Sequence, residues 1–202
     1  MAVERTAAQE EKRRILLDAA VRVFARKGYH AARVGDIAKE AGVAYGLLYH
    51  YFRSKDEILE TIFRETWGVM LATVRSVEDA GGPARDQVRR VASIVLRSYS
   101  RDPDLVRVLV REVTRSPHLQ KEVEEVGHAT TELERIVRRG QEAGEFRTNL
   151  PPHLAASIFY GALEQILTEW VLGTPPEDSD EVEQAIRTVV EMLCDGLVTE
   201  QA

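Results

Sequence analysis

A single cysteine, Cys194, stands among the 202 residues. No disulfide can form within the chain, and a reducing, cytoplasmic setting is expected. A lone free cysteine most often packs as a small core residue, which is the expectation for Cys194. Nowhere do about 20 apolar residues run uninterrupted, as a bilayer-crossing helix requires, so no membrane partner is expected. Residues Met1 to Glu10 are polar and alanine-rich, without the apolar stretch of a secretory signal. Also missing are a phosphate-binding glycine loop, a nucleophile elbow and a His-Glu-x-x-His pair. Glu125-Val126-Gly127-His128 has the spacing that sets two metal ligands on one helix face. A di-iron bundle needs a second such pair, and no other histidine has an acid three positions before it. A helical metal-dependent enzyme is therefore the weaker, different-class alternative; neither metal nor cofactor is expected.

What is present begins with charge. The net charge is −6, unevenly spread. Residues 1–55 hold eleven Lys and Arg against six Asp and Glu, a balance of +5, which leaves −11 for the remainder. A basic front on an acidic body suits a protein that meets a polyanion with one end only.

Helical periodicity runs almost throughout. Ile15, Leu16, Ala19, Ala20, Val23 and Phe24 share one face of a first helix over Glu10 to Lys27, which Gly28 ends. Two short helices, Val34–Ala41 and Ala44–Tyr51, flank Gly42. Ser54 and Glu57 form a capping box that launches a long helix through Ile58, Ile62, Trp67, Met70 and Val74. Gly81-Gly82-Pro83 breaks it. Five further helices are expected over Pro83–Arg101, Asp104–Arg115, Pro117–Ala143, Pro151–Leu172 and Glu177–Val198. Asp102 and Ser116 each cap a helix before a proline. The expectation is an all-α fold of nine helices. Residues 1–9 should be a flexible N-terminus, followed by a first domain over 10–70 and a second over 71–202.

Two short helices joined through a glycine turn are the helix-turn-helix arrangement. Ile37, Ala38, Ala41, Val43 and Leu48 have the spacing of its inner face. Subtracting them leaves Tyr45, Gly46, Leu47, Tyr49 and His50 to meet double-stranded DNA, with Tyr51 at the edge. Arg33 stands just ahead of the second helix and Lys55 in the first turn of the fourth, where amide groups favour an anion.

The run from Gly28-Tyr29-His30 through Val34-Gly35-Asp36-Ile37-Ala38 and Tyr45-Gly46-Leu47-Leu48-Tyr49-His50-Tyr51-Phe52 to Lys55-Asp56-Glu57-Ile58-Leu59 resembles the DNA-binding domain of the TetR family. The resemblance implies an Ω-shaped, nine-helix homodimer that represses from a roughly palindromic operator until a small ligand releases it. It also implies phosphate contacts for Tyr49, His50, Tyr51 and Lys55, and groove-facing roles for Tyr45 and Leu47. The chain departs from the family where Ala32 and Arg33 replace the usual hydroxyl residues before the second helix. Ala44 likewise replaces a common serine cap, and Leu47 a common polar residue.

In the body, Ala155, Ser157, Gly161 and Ala162 let helices approach closely, while Ile158, Ile166, Ile186, Val189 and Leu193 supply apolar area. A dimer interface is expected there. Trp67, Met70, Leu71, Val91, Val95, Tyr99, Leu105, Val108, Leu109, Val113, Val126 and Phe159 are the candidates for an apolar pocket, or for packed core in the same place. Arg107, Arg111 and Arg115 form a basic row that reads first as a solvated face and second as the flank of an anionic ligand. Phe159-Tyr160-Gly161-Ala162 and Thr168-Glu169-Trp170-Val171, with the Gly28-Tyr29-His30 opening, are similar to the fatty-acid-metabolism regulators of the family. That similarity implies a long-chain acyl-CoA effector. An unrelated hydrophobic inducer, as in regulators of efflux genes, is the alternative.

Overall fold

A computed structural model describes residues 6–113 and 123–197, with their side chains except at 113, 123–129 and 197. Nine helices and no strand occur among the described residues. They are α1 (Ala7–Lys27), α2 (Val34–Glu40), α3 (Tyr45–Tyr51), α4 (Lys55–Asp79), α5 (Ala84–Arg101), α6 (Pro103–Val113), α7 (Val123–Glu142), α8 (Pro152–Leu172) and α9 (Ser179–Leu197).

The first helix starts earlier than its apolar period suggests. Thr6 accepts the Gln9 amide at 3.3 Å while the Gln9 side chain accepts the Thr6 amide at 2.9 Å, so residues 6–9 are a capped helix start and not a loose end. At α4 the Ser54 hydroxyl caps Glu57 as expected, but Glu57 reaches one residue further back, to the Arg53 amide at 2.6 Å. Asp102 caps α6 through the Leu105 amide at 2.9 Å. The Ser116 cap lies outside the described residues.

Two hydrophobic cores result. In the reader, α1, α2, α3 and the start of α4 enclose Phe24, Ile37, Leu48, Ile58 and Phe63, with Val108 of α6 closing the cluster. In the body, α5, α7, α8 and α9 enclose Val91, Leu96, Ile136, Phe159, Leu163 and Val190 together with Val74 and Val77 of α4. α4 thus belongs to both cores. Its C-terminal half is pinned to α7 by ions: Arg75 meets the buried Glu132 at 2.8 Å, and Arg139 meets the buried Glu78 at 3.2 Å. Where α7 crosses the start of α5, only glycine fits at position 140, because a β-carbon there would collide with the Phe146 ring and stand 2.8 Å from Ala84.

Cys194 is wholly buried in the body core, and burial pushes its thiol up to about 11. The thiolate is the reactive form. Cys194 is therefore expected to resist iodoacetamide at neutral pH in the folded protein and to react once denatured. Rapid native labelling, read by mass spectrometry, would contradict that burial.

Candidate functional site

The reader places α3 by one residue above all. Leu48 is fully buried and locks the seven-residue helix onto Ile37 and Ala38 of α2. Between α2 and α3, Gly42 takes φ +66, the left-handed turn that a β-carbon would strain. With Leu48 inward, Tyr45 (55% exposed) and Tyr49 (46% exposed) face out, one helical turn apart. Their rings meet edge to face at 5.2 Å and their hydroxyls at 3.0 Å. Such a pair retains one hydroxyl proton to donate outward. Gly46 and His50 are exposed beside them, Leu47 is half-buried, and Tyr51 is half-buried with its ring against His50 at 5.3 Å.

The basic residues divide sharply. Arg22 and Arg26 share Glu40 at 3.0 and 2.9 Å, and Lys27 holds Asp36 at 2.7 Å. The Lys27 ammonium, with the Arg33 amide beside it, holds the Asp36 carboxyl below its usual range. Arg33 is exposed and in no ion pair among the described residues; the same is true of Lys39 and Arg53, which the sequence reading passed over. No spacing signal set them apart, since Asp36 stands three residues from Lys39 and Glu57 four from Arg53.

Lys55 differs from its expected role. Its ammonium donates to the carbonyls of Tyr29 at 2.7 Å, Ala32 at 3.0 Å and His30 at 3.4 Å, and lies 4.3 Å over the Tyr29 ring. All three protons are committed inside the domain, stitching the turn after α1 to the base of α4. Tyr29 completes the stitch by donating to Asp56, and burial with that acceptor pushes its phenol above the ordinary value. Arg13 adds a second tie, bonding Glu10 at 2.9 Å and Glu65 of α4. Lys55→Ala is expected to cost about 1–3 kcal/mol of reader stability, visible in denaturant unfolding. Arg33→Ala should instead leave stability unchanged and flatten the salt dependence of DNA binding by about one unit of slope. Swapped outcomes would return Lys55 to the phosphate surface.

Between the two cores lies a cavity of about 260 Å³. Of the residues named as pocket candidates, Trp67 and Met70 of α4, Val91 and Val95 of α5, and Leu109 of α6 line it. The other candidates lie elsewhere. Val108 is in the reader core and Leu105 packs against it, because α6 turns that face toward α1. Tyr99 packs with Val106 and Val171, Phe159 sits within the body core, and Leu71 is buried outside the wall. The side chains of Val113 and Val126 lie outside the described residues, as do those of Glu125 and His128, and Arg115 altogether.

The wall also contains residues the sequence reading missed: Val74, Val106, Val110, Leu133, Tyr160, Leu163 and Leu167. Three- and four-residue steps from Met70, Leu109 and each other would have found most of them. The hydroxyls of Thr66, Ser98 and Thr168 are in the wall too, each spending its proton on its own helix at 2.7, 2.6 and 2.8 Å. The Trp67 indole nitrogen is buried without a hydrogen-bond partner, and desolvation raises the Tyr160 phenol above its ordinary value. Arg111 stands in the wall beside apolar neighbours, whereas Arg107 is held by Asp104 at 2.6 Å. The basic row does not act as one face.

The expected pairing surface also needs correction. Ala155, Ile186 and Val189 are buried in the protomer's own core, because α8 and α9 pack on each other and on α5. Ala162, Ile166 and Leu193 are half-buried against that core. What faces outward on α8 is Leu154, Ile158 (68% exposed) and Gly161, with Met192 (77% exposed) on α9.

Residues 16–62 match the bacterial regulatory proteins of the tetR family, and residues 77–189 match the tetracyclin repressor-like C-terminal domain. The fatty acid metabolism regulator protein of Bacillus subtilis is 30% identical over 185 residues, 90% of this chain and 93% of that protein. Among solved structures, transcriptional regulator FadR from Bacillus subtilis in complex with stearoyl-CoA superposes with a TM-score of 0.80 at 30% identity, covering 92% of this chain and 99% of that one. Fatty acid degradation regulator FadR from Bacillus halodurans gives 0.83 at 27% identity over 96% and 98%. No helix among the described residues is long and apolar enough to cross a membrane. This chain belongs to the TetR family of transcriptional regulators, which bind operator DNA and dimerise.

Proposed function

We propose that this regulator is a repressor that pairs through the outward faces of α8 and α9 and is released from its operator by an acyl-CoA. The observation that carries the reading is the position of the cavity. α4 gives Ile58, Ile62 and Phe63 to the reader core, Trp67 and Met70 to the cavity wall, and Val74 and Val77 to the body core. α6 is divided in the same way, with Val108 in the reader core and Leu109, Val110 and Arg111 in the wall. A ligand seated there presses on the two helices that support the reader. The wall is mostly apolar, and its two charged residues are Arg111 and the exposed Glu164, so a hydrocarbon chain carrying an anionic head fits with the head on Arg111.

Because half-sites lie in fixed phase along the duplex, tilting either reader of a dimer spoils the match. On DNA, Tyr45 and Leu47 face the groove while Arg33, Tyr49, His50 and Tyr51 lie on phosphates. Lys39 and Arg53 add positive charge at the rim.

A band shift with the DNA upstream of the chain's own gene should show a discrete complex that saturated acyl-CoA dissolves and free CoA does not. A complex insensitive to acyl-CoA of every chain length would remove the effector from this reading but keep the DNA reader.

A further inference from the structure

We infer that the cavity selects a medium-length acyl chain of about ten carbons, inserted tail first. The inference rests on the acyl-effector reading and names the ligand's size within it. An apolar cavity of roughly 150 Å³ holds the six carbons of benzene, or about 25 Å³ per carbon. On that scale the 260 Å³ here corresponds to about ten. The eighteen-carbon chain of the stearoyl-CoA in the Bacillus subtilis relative's structure would need nearly twice the space.

Entry and end of the cavity are separable by burial. Glu164 and Leu172 of α8 are exposed, and Arg111 of α6 and Thr168 of α8 are half-exposed; together they mark the mouth. Val74, Val91, Leu133 and Leu163 are between 1% and 4% exposed and mark the floor.

The floor is closed on three helices at one level. On α4 the next inward residue after Val74 is Val77; on α5 the one before Val91 is Val88; on α7 the one after Leu133 is Ile136. All three are buried in the body core and none is in the wall. All three steps lead toward the end of the body where α4 turns into α5 and Gly140 of α7 abuts Ala84. Val77, Val88 and Ile136 therefore form a plug across the tail end. The head, too large for the remaining space, stays at the mouth, on the Arg111 side and away from Glu164.

The test is release of labelled operator by hexanoyl-, decanoyl-, tetradecanoyl- and octadecanoyl-CoA. Decanoyl-CoA should act at a concentration about tenfold below octadecanoyl-CoA, since the plug stops the longer tail and its surplus carbons hold the head off the mouth, away from Arg111. Ile136→Ala removes three carbons from the plug and should move the optimum about three carbons longer. Val91→Phe should move it shorter. Operator affinity without ligand reports whether either variant folds, and Val88→Ala is a milder substitute that should lengthen the optimum by about two carbons. Octadecanoyl-CoA acting as well as decanoyl-CoA on the wild type would overturn the length assignment and leave the acyl reading standing. No release by any thioester would overturn both.

Discussion

Replacing Val95 with tryptophan is expected to yield a protein that holds its operator and no longer responds to effector. Val95 is a half-buried member of the cavity wall on α5. The larger side chain adds seven heavy atoms, which at about 25 Å³ each take up more than half of the space. α5 contributes nothing to the reader core, so DNA affinity without ligand should change less than about twofold. Linkage gives the wild type the opposite behaviour. A ligand that weakens DNA binding must itself bind the DNA-bound protein more weakly by the same factor, typically about 5–150-fold. Anisotropy of labelled operator, titrated with decanoyl-CoA, should show that loss for the wild type and almost none for Val95→Trp. Release of the variant at wild-type concentrations would place the effector elsewhere.

A second large effect is expected from Ile158→Arg. Ile158 is 68% exposed on the outer face of α8, so the protomer core should not register the change. In a two-fold interface each residue near the axis faces its own copy, and the substitution sets two guanidinium groups against each other. Sedimentation at micromolar concentration should show monomer where the wild type is dimer. Operator affinity should fall about a hundredfold or more, because each half-site is then bound without the effective concentration supplied by its partner. Retained secondary structure by circular dichroism distinguishes lost pairing from lost folding. An intact dimer would move the interface off this face.

The contrast between Ile158 and Ala155 shows what a one-dimensional reading can and cannot resolve. Periodicity marks α8 as a helix apolar over much of its circumference, but not which stripe meets α5 and α9 within the protomer and which is left over. That division depends on where the other helices lie. The cavity poses the same problem on α6: Leu105, Val108 and Leu109 are chemically alike, yet only Leu109 lines the space. The reader was far more legible. Its helices are short, its turn glycine is diagnostic, and its inner residues have only one core to enter. Even there, the contacts of Lys55 inside the domain are not legible, because its carbonyl partners lie 23 to 26 residues upstream and a charge in a helix's first turn looks the same whether it faces phosphate or protein.

The separation of the two cores bears on how such a regulator can change over generations. The plug and floor residues, Val74, Val77, Val88, Val91, Leu133 and Ile136, all belong to the body core, and none is shared with the reader core. A lineage can therefore retune the chemical it senses by small exchanges at the floor without touching the residues that shape the operator surface. Drift in operator sequence can proceed independently through Tyr45, Leu47 and their neighbours. Only α4 enters both cores, and α6 joins the reader core to the cavity wall; on these two helices the freedom to vary should be least.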